Sequence, residues 1–183
     1  PELGTIADFT LLDQQGQALT GARLDGQPWL AAFMFTRCPT ICPAITARMR
    51  EVQTRAKQEH VPLRLVSFSV DPEFDTPEVL KAYADKYGVD QASWFFATGD
   101  NKQIRETAER ACKGSVEGTA NASAPGFGIS HGSHLVLVDA KRTIRGYYRS
   151  SEPDSVAQIV RDAARLSKEQ LGSNAQPGAL GQR

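Results

Sequence analysis

Apolar positions along this chain change their period several times, and the changes divide it into alternating strands and helices. Residues 29–36 (WLAAFMFT) form a continuous apolar run of strand length, and residues 63–70 (LRLVSFSV) a second. Unbroken apolar character over so few residues suits strands buried on both faces of a sheet. Between them Ile45, Met49, Val52 and Ala56 recur at helical spacing, with Arg48, Arg50, Glu51 and Lys57 interleaved. That predicts an amphipathic helix ending near His60, with Pro43 tolerated in its first turn. Thr76 followed by Pro77 has the form of an N-cap and first helical residue, so a helix is expected to about Tyr87, stopped by Gly88. Residues 94–97 read as a short strand and 101–112 as a helix ended by Gly114. Residues 135–138 and 143–148 form a hairpin about the turn at 139–142, and 155–166 a last amphipathic helix. Near the start, residues 7–12 and 17–19 flank the turn DQQG as a small hairpin, and 24–28 form another turn. Residues 114–128, rich in Gly, Ser, Ala and Asn, are expected to be a loop, and 167–183 a disordered tail.

The resulting order is β-α-β-α-β-α-β-β-α behind a hairpin, which predicts an α/β domain over 1–166 with helices flanking a central mixed sheet. The 183 residues suffice for one domain with a substantial core. Twenty-one basic residues balance 21 acidic ones, which argues against nucleic acid as the partner. No run of apolar residues is long enough to span a bilayer. The sequence begins at Pro1, so a processed fragment is expected, with any signal peptide or anchor upstream.

The three cysteines are too few, and odd in number, for a disulfide framework. Cys38 and Cys42 lie close together between a buried strand and a helix, and Cys112 stands alone. If both were helical, four residues of rise would place them about 6 Å apart on one face, within range of a disulfide or of one shared metal ion. A helix N-terminus stabilises a thiolate, so at least one thiol should have a lowered pKa. A buried, inert pair is the plain alternative, and the strand–Cys–helix placement argues against it. Haem attachment needs a C-x-x-C-H pattern, and a structural zinc site needs a second close ligand pair; neither is present. Cys112 is expected to take no part.

Of the histidines, His60 falls at a helix end and reads as a surface residue. His131 and His134 precede the strand at 135–138. Alternation along an extended segment puts His131 with Ser133 and Leu135 on one face and His134 with Val136 on the other, so only one can point at the cysteines. Taken alone, a histidine ahead of a strand is weak evidence of a ligand.

Three separated motifs then agree. FTRCPTICP at 35–43 resembles the T-x-C-P-x-x-C-P signature of the Sco/SenC family. SVDPEFDTP at 69–77 is similar to that family's S-V-D-P-x-x-D-T-P segment, and HGSHLVLVD at 131–139, followed by IRGYY at 144–148, to its ligand-histidine strand. The resemblance spans about 7–166. It implies a thioredoxin-like fold with an extra N-terminal hairpin, and copper, as Cu(I) or Cu(II), bound by Cys38, Cys42 and His131. Two thiolates and an imidazole suit either oxidation state, and three protein ligands leave a position open for transfer. It also implies that Asp71 lies near the metal loop, in a supporting or partner-docking role or merely as a loop residue before Pro72. The implied partner is the copper-site subunit of cytochrome c oxidase, as recipient of copper or of electrons for its cysteines, although another copper or thiol protein could fill that place. The implied location is the periplasmic face of the bacterial inner membrane, or the mitochondrial inner membrane, reached through an anchor missing from this chain. The chain departs from the family pattern at Ser130 and Gly132, where Asp-His-Ser is common, at Phe74, where a basic residue is common, in a loop at 114–128 lacking aromatic residues, and in the additional His134. A general thiol–disulfide oxidoreductase and a copper or redox sensor are the competing functions; of the site residues, His131 discriminates, because disulfide exchange has little need of it.

Overall fold

A computed structural model describes residues 2–112 and 134–174. Strands β1 (Thr10–Leu12) and β2 (Ala18–Thr20) pair as an antiparallel hairpin, followed by the short helix α1 (Gly21–Leu24). Then come β3 (Trp29–Met34), α2 (Ile41–Gln58), β4 (Arg64–Ser69), α3 (Pro77–Tyr87), β5 (Trp94–Ala97), α4 (Asn101–Cys112), β6 (His134–Val138), β7 (Ile144–Arg149) and α5 (Ser155–Asn174). The central sheet has the order β5-β4-β3-β6-β7. β3, β4 and β5 are parallel, and β6 and β7 return antiparallel beside β3. This is the expected mixed α/β sheet.

Strand alternation divides the core into two layers. Leu30, Ala32 and Met34 of β3 face a cluster built with Ile45, Met49 and Val52 of α2, Leu80 and Tyr83 of α3, and Ile159 and Val160 of α5. Trp29, Ala31 and Phe33 face the other way, against Leu11 and Leu19 of the hairpin and Ile104 and Ala108 of α4. All six residues of β3 are buried, as its continuous apolar run requires. Phe68 anchors the second layer, stacked on Phe33 at 5.3 Å and edge-on to Phe9 at 5.5 Å between ring centroids.

Local signals set α3 as expected: the Thr76 side chain accepts from the Val79 amide, Pro77 opens the helix, and Gly88 closes it at φ 59°. Other boundaries differ. β1 begins at Thr10 rather than residue 7, because the Asp8 carboxylate takes the Phe9 and Gly21 amides and holds that stretch out of the hairpin. α1 arises where only a turn was expected further on, with the Thr20 hydroxyl accepting from the Arg23 amide. α5 runs on past Leu166 to Asn174, supported where Arg145 meets Glu169 and where Gln170 donates to the Gly26 carbonyl. The loop expected at 114–128, the histidine at 131 and residues 175–183 lie outside the described residues.

Candidate metal and redox site

The carboxyl ends of parallel strands are where open α/β sheets build their sites. Here β3 and β4 deliver two loops side by side: residues 35–40, which lead into α2, and residues 70–76, which lead into α3. The first loop carries the cysteines. A turn in which the Cys38 amide donates to the Phe35 carbonyl at 3.2 Å lifts Cys38 out of β3. The conditional picture of both cysteines within the helix does not hold: α2 starts at Ile41 after its N-cap Thr40, so Cys42 is in the first turn and Cys38 in the loop before it.

That offset explains the chemistry of the pair. A helix N-terminus leaves unpaired amide donors, and the Thr40 side chain makes no capping hydrogen bond. Cys38 sulfur takes up this role. Burial alone would push its pKa up, but hydrogen bonds from the Cys42 thiol and from the Thr40, Cys42 and Ile41 amides outweigh it, and the pKa falls to about 7. Cys42 goes the other way. Burial, then its hydrogen bond to Cys38, and the nearby charges of Cys38 and Asp75 push it to about 12, despite a Phe35 amide working against the rise. Cys38 is 8% exposed and Cys42 2%, and both are free thiols. Near neutral pH the pair is therefore a thiolate beside a thiol, with the thiolate on the solvent side.

Asp71 stands in the second loop and reaches the first through Arg37, the neighbour of Cys38. Arg37 Nη2 lies 2.6 Å and Nε 3.1 Å from one carboxylate oxygen. The Arg37 guanidinium also lies 4.1 Å over the exposed Phe74 ring. The sequence reading missed Asp75. It is fully buried, accepts from the Thr36 amide at 3.1 Å and from the Ser69 hydroxyl at 2.6 Å, and is bonded to the Thr36 hydroxyl. The D-T-P end of the second motif was the available signal.

Among the described residues no three His, Cys, Asp or Glu side chains converge as a metal site. His60 sits in the exposed turn at the far end of α2, about 27 Å along that helix from Ile41. His134 opens β6 on the parity of Val136 and Val138, which face the second core layer; Leu135 and Leu137 face the layer that holds both cysteines. Burial and then the Arg149 charge hold the His134 imidazole below its ordinary pKa. His131 lies outside the described residues, and of Cys112 only the backbone, at the end of α4, is described.

A mixed sheet with helices on both faces and a C-x-x-x-C pair at a strand–helix junction define a thioredoxin-like dithiol domain. The chain belongs to the SCO1/SenC family, whose model matches residues 2–168. It is 34% identical over 163 residues to the SCO1 protein homolog of Bacillus subtilis, covering 88% of this chain and 82% of that one. A Stutzerimonas stutzeri relative whose name proposes copper binding is 30% identical over 151 residues, 82% of this chain and 72% of that one. A SCO1/SenC family lipoprotein of Bacillus anthracis superposes with a TM-score of 0.78 at 32% identity, covering 90% of this chain and 95% of that one. BsSco, a member of the Sco family of cytochrome c oxidase assembly proteins in which a disulfide switch was identified, gives 0.77 at 32% identity over 92% and 96%. The copper-bound ScoI of Bradyrhizobium japonicum shares the fold at 0.67 and 23% identity, over 88% and 99%.

Proposed function

We propose that this chain handles copper and thiol electrons outside the reducing cytosol: it holds one copper ion through Cys38, Cys42 and His131, and delivers copper to, or reduces the cysteines of, the binuclear copper site of cytochrome c oxidase. The observation that carries this reading is the cysteine pair, two buried free thiols placed together at the mouth of the strand–helix loop between β3 and α2. Two adjacent sulfurs are a soft donor set that fits Cu(I), and an imidazole beside them would extend the set to Cu(II). His134 lies on the strand parity away from the cysteines and His60 is remote, and the family resemblance implies His131 as the third donor. β6 is antiparallel to β3, so its His134 end lies toward the sheet end that bears the cysteines. The copper-binding name of one relative and the oxidase-assembly family of BsSco support the cargo and the client.

The same pair can reduce a client disulfide. Cys38 thiolate attacks one client sulfur and releases the other as a thiolate, which takes a proton. Cys42 then loses its proton as it attacks Cys38 sulfur, freeing the second client thiol. Two electrons pass to the client, with one proton from Cys42 and one from solvent, and Cys38–Cys42 becomes a disulfide. The pKa split favours this order and gives weight to the second reading, a general thiol–disulfide oxidoreductase. A family lipoprotein supports attachment at the membrane surface. Among the described residues no helix is long and apolar enough to cross a membrane.

Anaerobic Cu(I) titration of the reduced protein, against a competing chromophoric chelator, tests the copper reading. One ion per chain is expected for the wild type and none for Cys38→Ser/Cys42→Ser, with weaker binding by His131→Ala. Equal binding by the double-serine variant would overturn it.

A further inference from the structure

The Asp75 carboxylate is fully buried, and among the described residues it makes no ion pair. A buried carboxyl group is costly unless hydrogen bonds compensate it, so its position calls for specific partners with a structural role. Its partners identify that role. Ser69 is the last residue of β4, and Thr36 lies just beyond the end of β3, two residues before Cys38. The β3–β4 ladder is still intact where the Val70 amide donates to the Met34 carbonyl at 2.9 Å. The next rung of a parallel ladder would carry the Thr36 amide to the Val70 carbonyl. Asp75 takes that amide instead, at 3.1 Å, and binds the Thr36 and Ser69 hydroxyls with the same carboxylate. The rung is thereby replaced and the chain turns off the sheet into the cysteine loop. Asp75 immediately precedes Thr76, the cap of α3, so the clamp joins β3, β4 and α3 at one point.

We infer that Asp75 is a positioning residue for the dithiol: through Thr36 it holds the loop so that Cys38 stays against Cys42, and it thereby sets how readily the two close into a disulfide. The inference rests on the thiol-redox half of the proposed function and is independent of copper. Holding two reacting groups together raises their effective concentration, and releasing the loop lowers it. In Asp75→Asn one oxygen becomes an amide nitrogen that cannot accept: turned toward the Thr36 backbone N–H it loses that bond, and turned toward Thr36 Oγ1 it keeps the contact only by reversing the hydroxyl bond. Thr36→Val removes one hydroxyl bond while leaving the carboxylate charge in place.

The test is equilibration of full-length wild type, Asp75→Asn and Thr36→Val against a series of thiol/disulfide buffers, with melting of each protein in both redox states. Both variants should form the Cys38–Cys42 disulfide less readily, by about tenfold for Asp75→Asn, which is about 30 mV for this two-electron couple. The oxidised form should lose more melting temperature than the reduced form. Unchanged exchange constants with equal losses of melting temperature would overturn the inference, leaving Asp75 a purely structural group. A shift in Asp75→Asn with none in Thr36→Val would also overturn it, because the charge and not the clamp would then be responsible. If Asp75→Asn fails to fold, Thr36→Val and Ser69→Ala decide the matter by the same measure. If the wild type forms no disulfide in any buffer, the inference and the thiol-redox reading fall together; variants unshifted beside a wild type that does form it sink the inference alone.

Discussion

The split between the two thiols has a direct kinetic consequence. Cys38, with its pKa lowered to about 7, is ionised where most thiols are not, and Cys42, pushed to about 12, is not ionised at all in ordinary buffers. Alkylation by iodoacetamide proceeds through the thiolate, so its rate follows the ionised fraction. A group titrating at about 7 rises from ~9% thiolate at pH 6 to ~91% at pH 8, about a tenfold gain that then levels off. An ordinary thiol near 8.5 would gain about 75-fold over the same interval and still be climbing. The assay is anaerobic pulse alkylation of the reduced protein between pH 5 and 9, with peptide mass spectrometry resolving the two sites. Cys38 should be labelled first at every pH, with a midpoint near neutrality, and Cys42 only slowly. A Cys38 rate still rising steeply above pH 8, or Cys42 labelled first, would refute the helix-cap account of the low pKa.

Three further outcomes are expected. Mild oxidation should join Cys38 to Cys42, read as the loss of both alkylation sites and of two thiol hydrogens in the intact mass; two thiols still fully alkylated would show that the pair cannot close. Cys112→Ser should leave copper stoichiometry unchanged, and a clear loss of bound copper would bring Cys112 into the site. Phe68→Ala, which removes a fully buried ring packed on Phe9, Trp29 and Phe33, should cost about 3–5 kcal/mol in chemical denaturation while leaving Cys38 reactivity intact; a cost below about 1 kcal/mol would contradict the second core layer.

Features written in short stretches of sequence were legible. The apolar run of β3, the spacing of Ile45, Met49, Val52 and Ala56, and the Thr76–Pro77 start and Gly88 stop of α3 each report a local rule, and each element is there. The strand–Cys–helix order located the thiols for the same reason. What escaped depends on residues far apart in the chain. Asp75 is separated by 39 positions from Thr36, and although the D-T-P run marks its position, its burial depends on those distant partners. Pro43 in the first turn marked the start of α2 near Ile41, but the placement of Cys38 before the helix, not in it, was left open by FTRCPTICP alone. α1 is only four residues long, too short to show a period. The last turns of α5 rest on Arg145 and on Gly26, across the fold from them.

The proposed copper site joins Cys38, Cys42 and His131, while strand parity puts His134 on the face away from the cysteines. Loading with Cu(II) tests it most directly, because a thiolate-to-Cu(II) absorption band reports sulfur and imidazole ligation together. His131→Ala should lose the band while retaining Cu(I) on its two sulfurs, and His134→Ala should keep the band at wild-type strength. Loss of the band in His134→Ala with its retention in His131→Ala would contradict the claim and move the third ligand three residues along the chain.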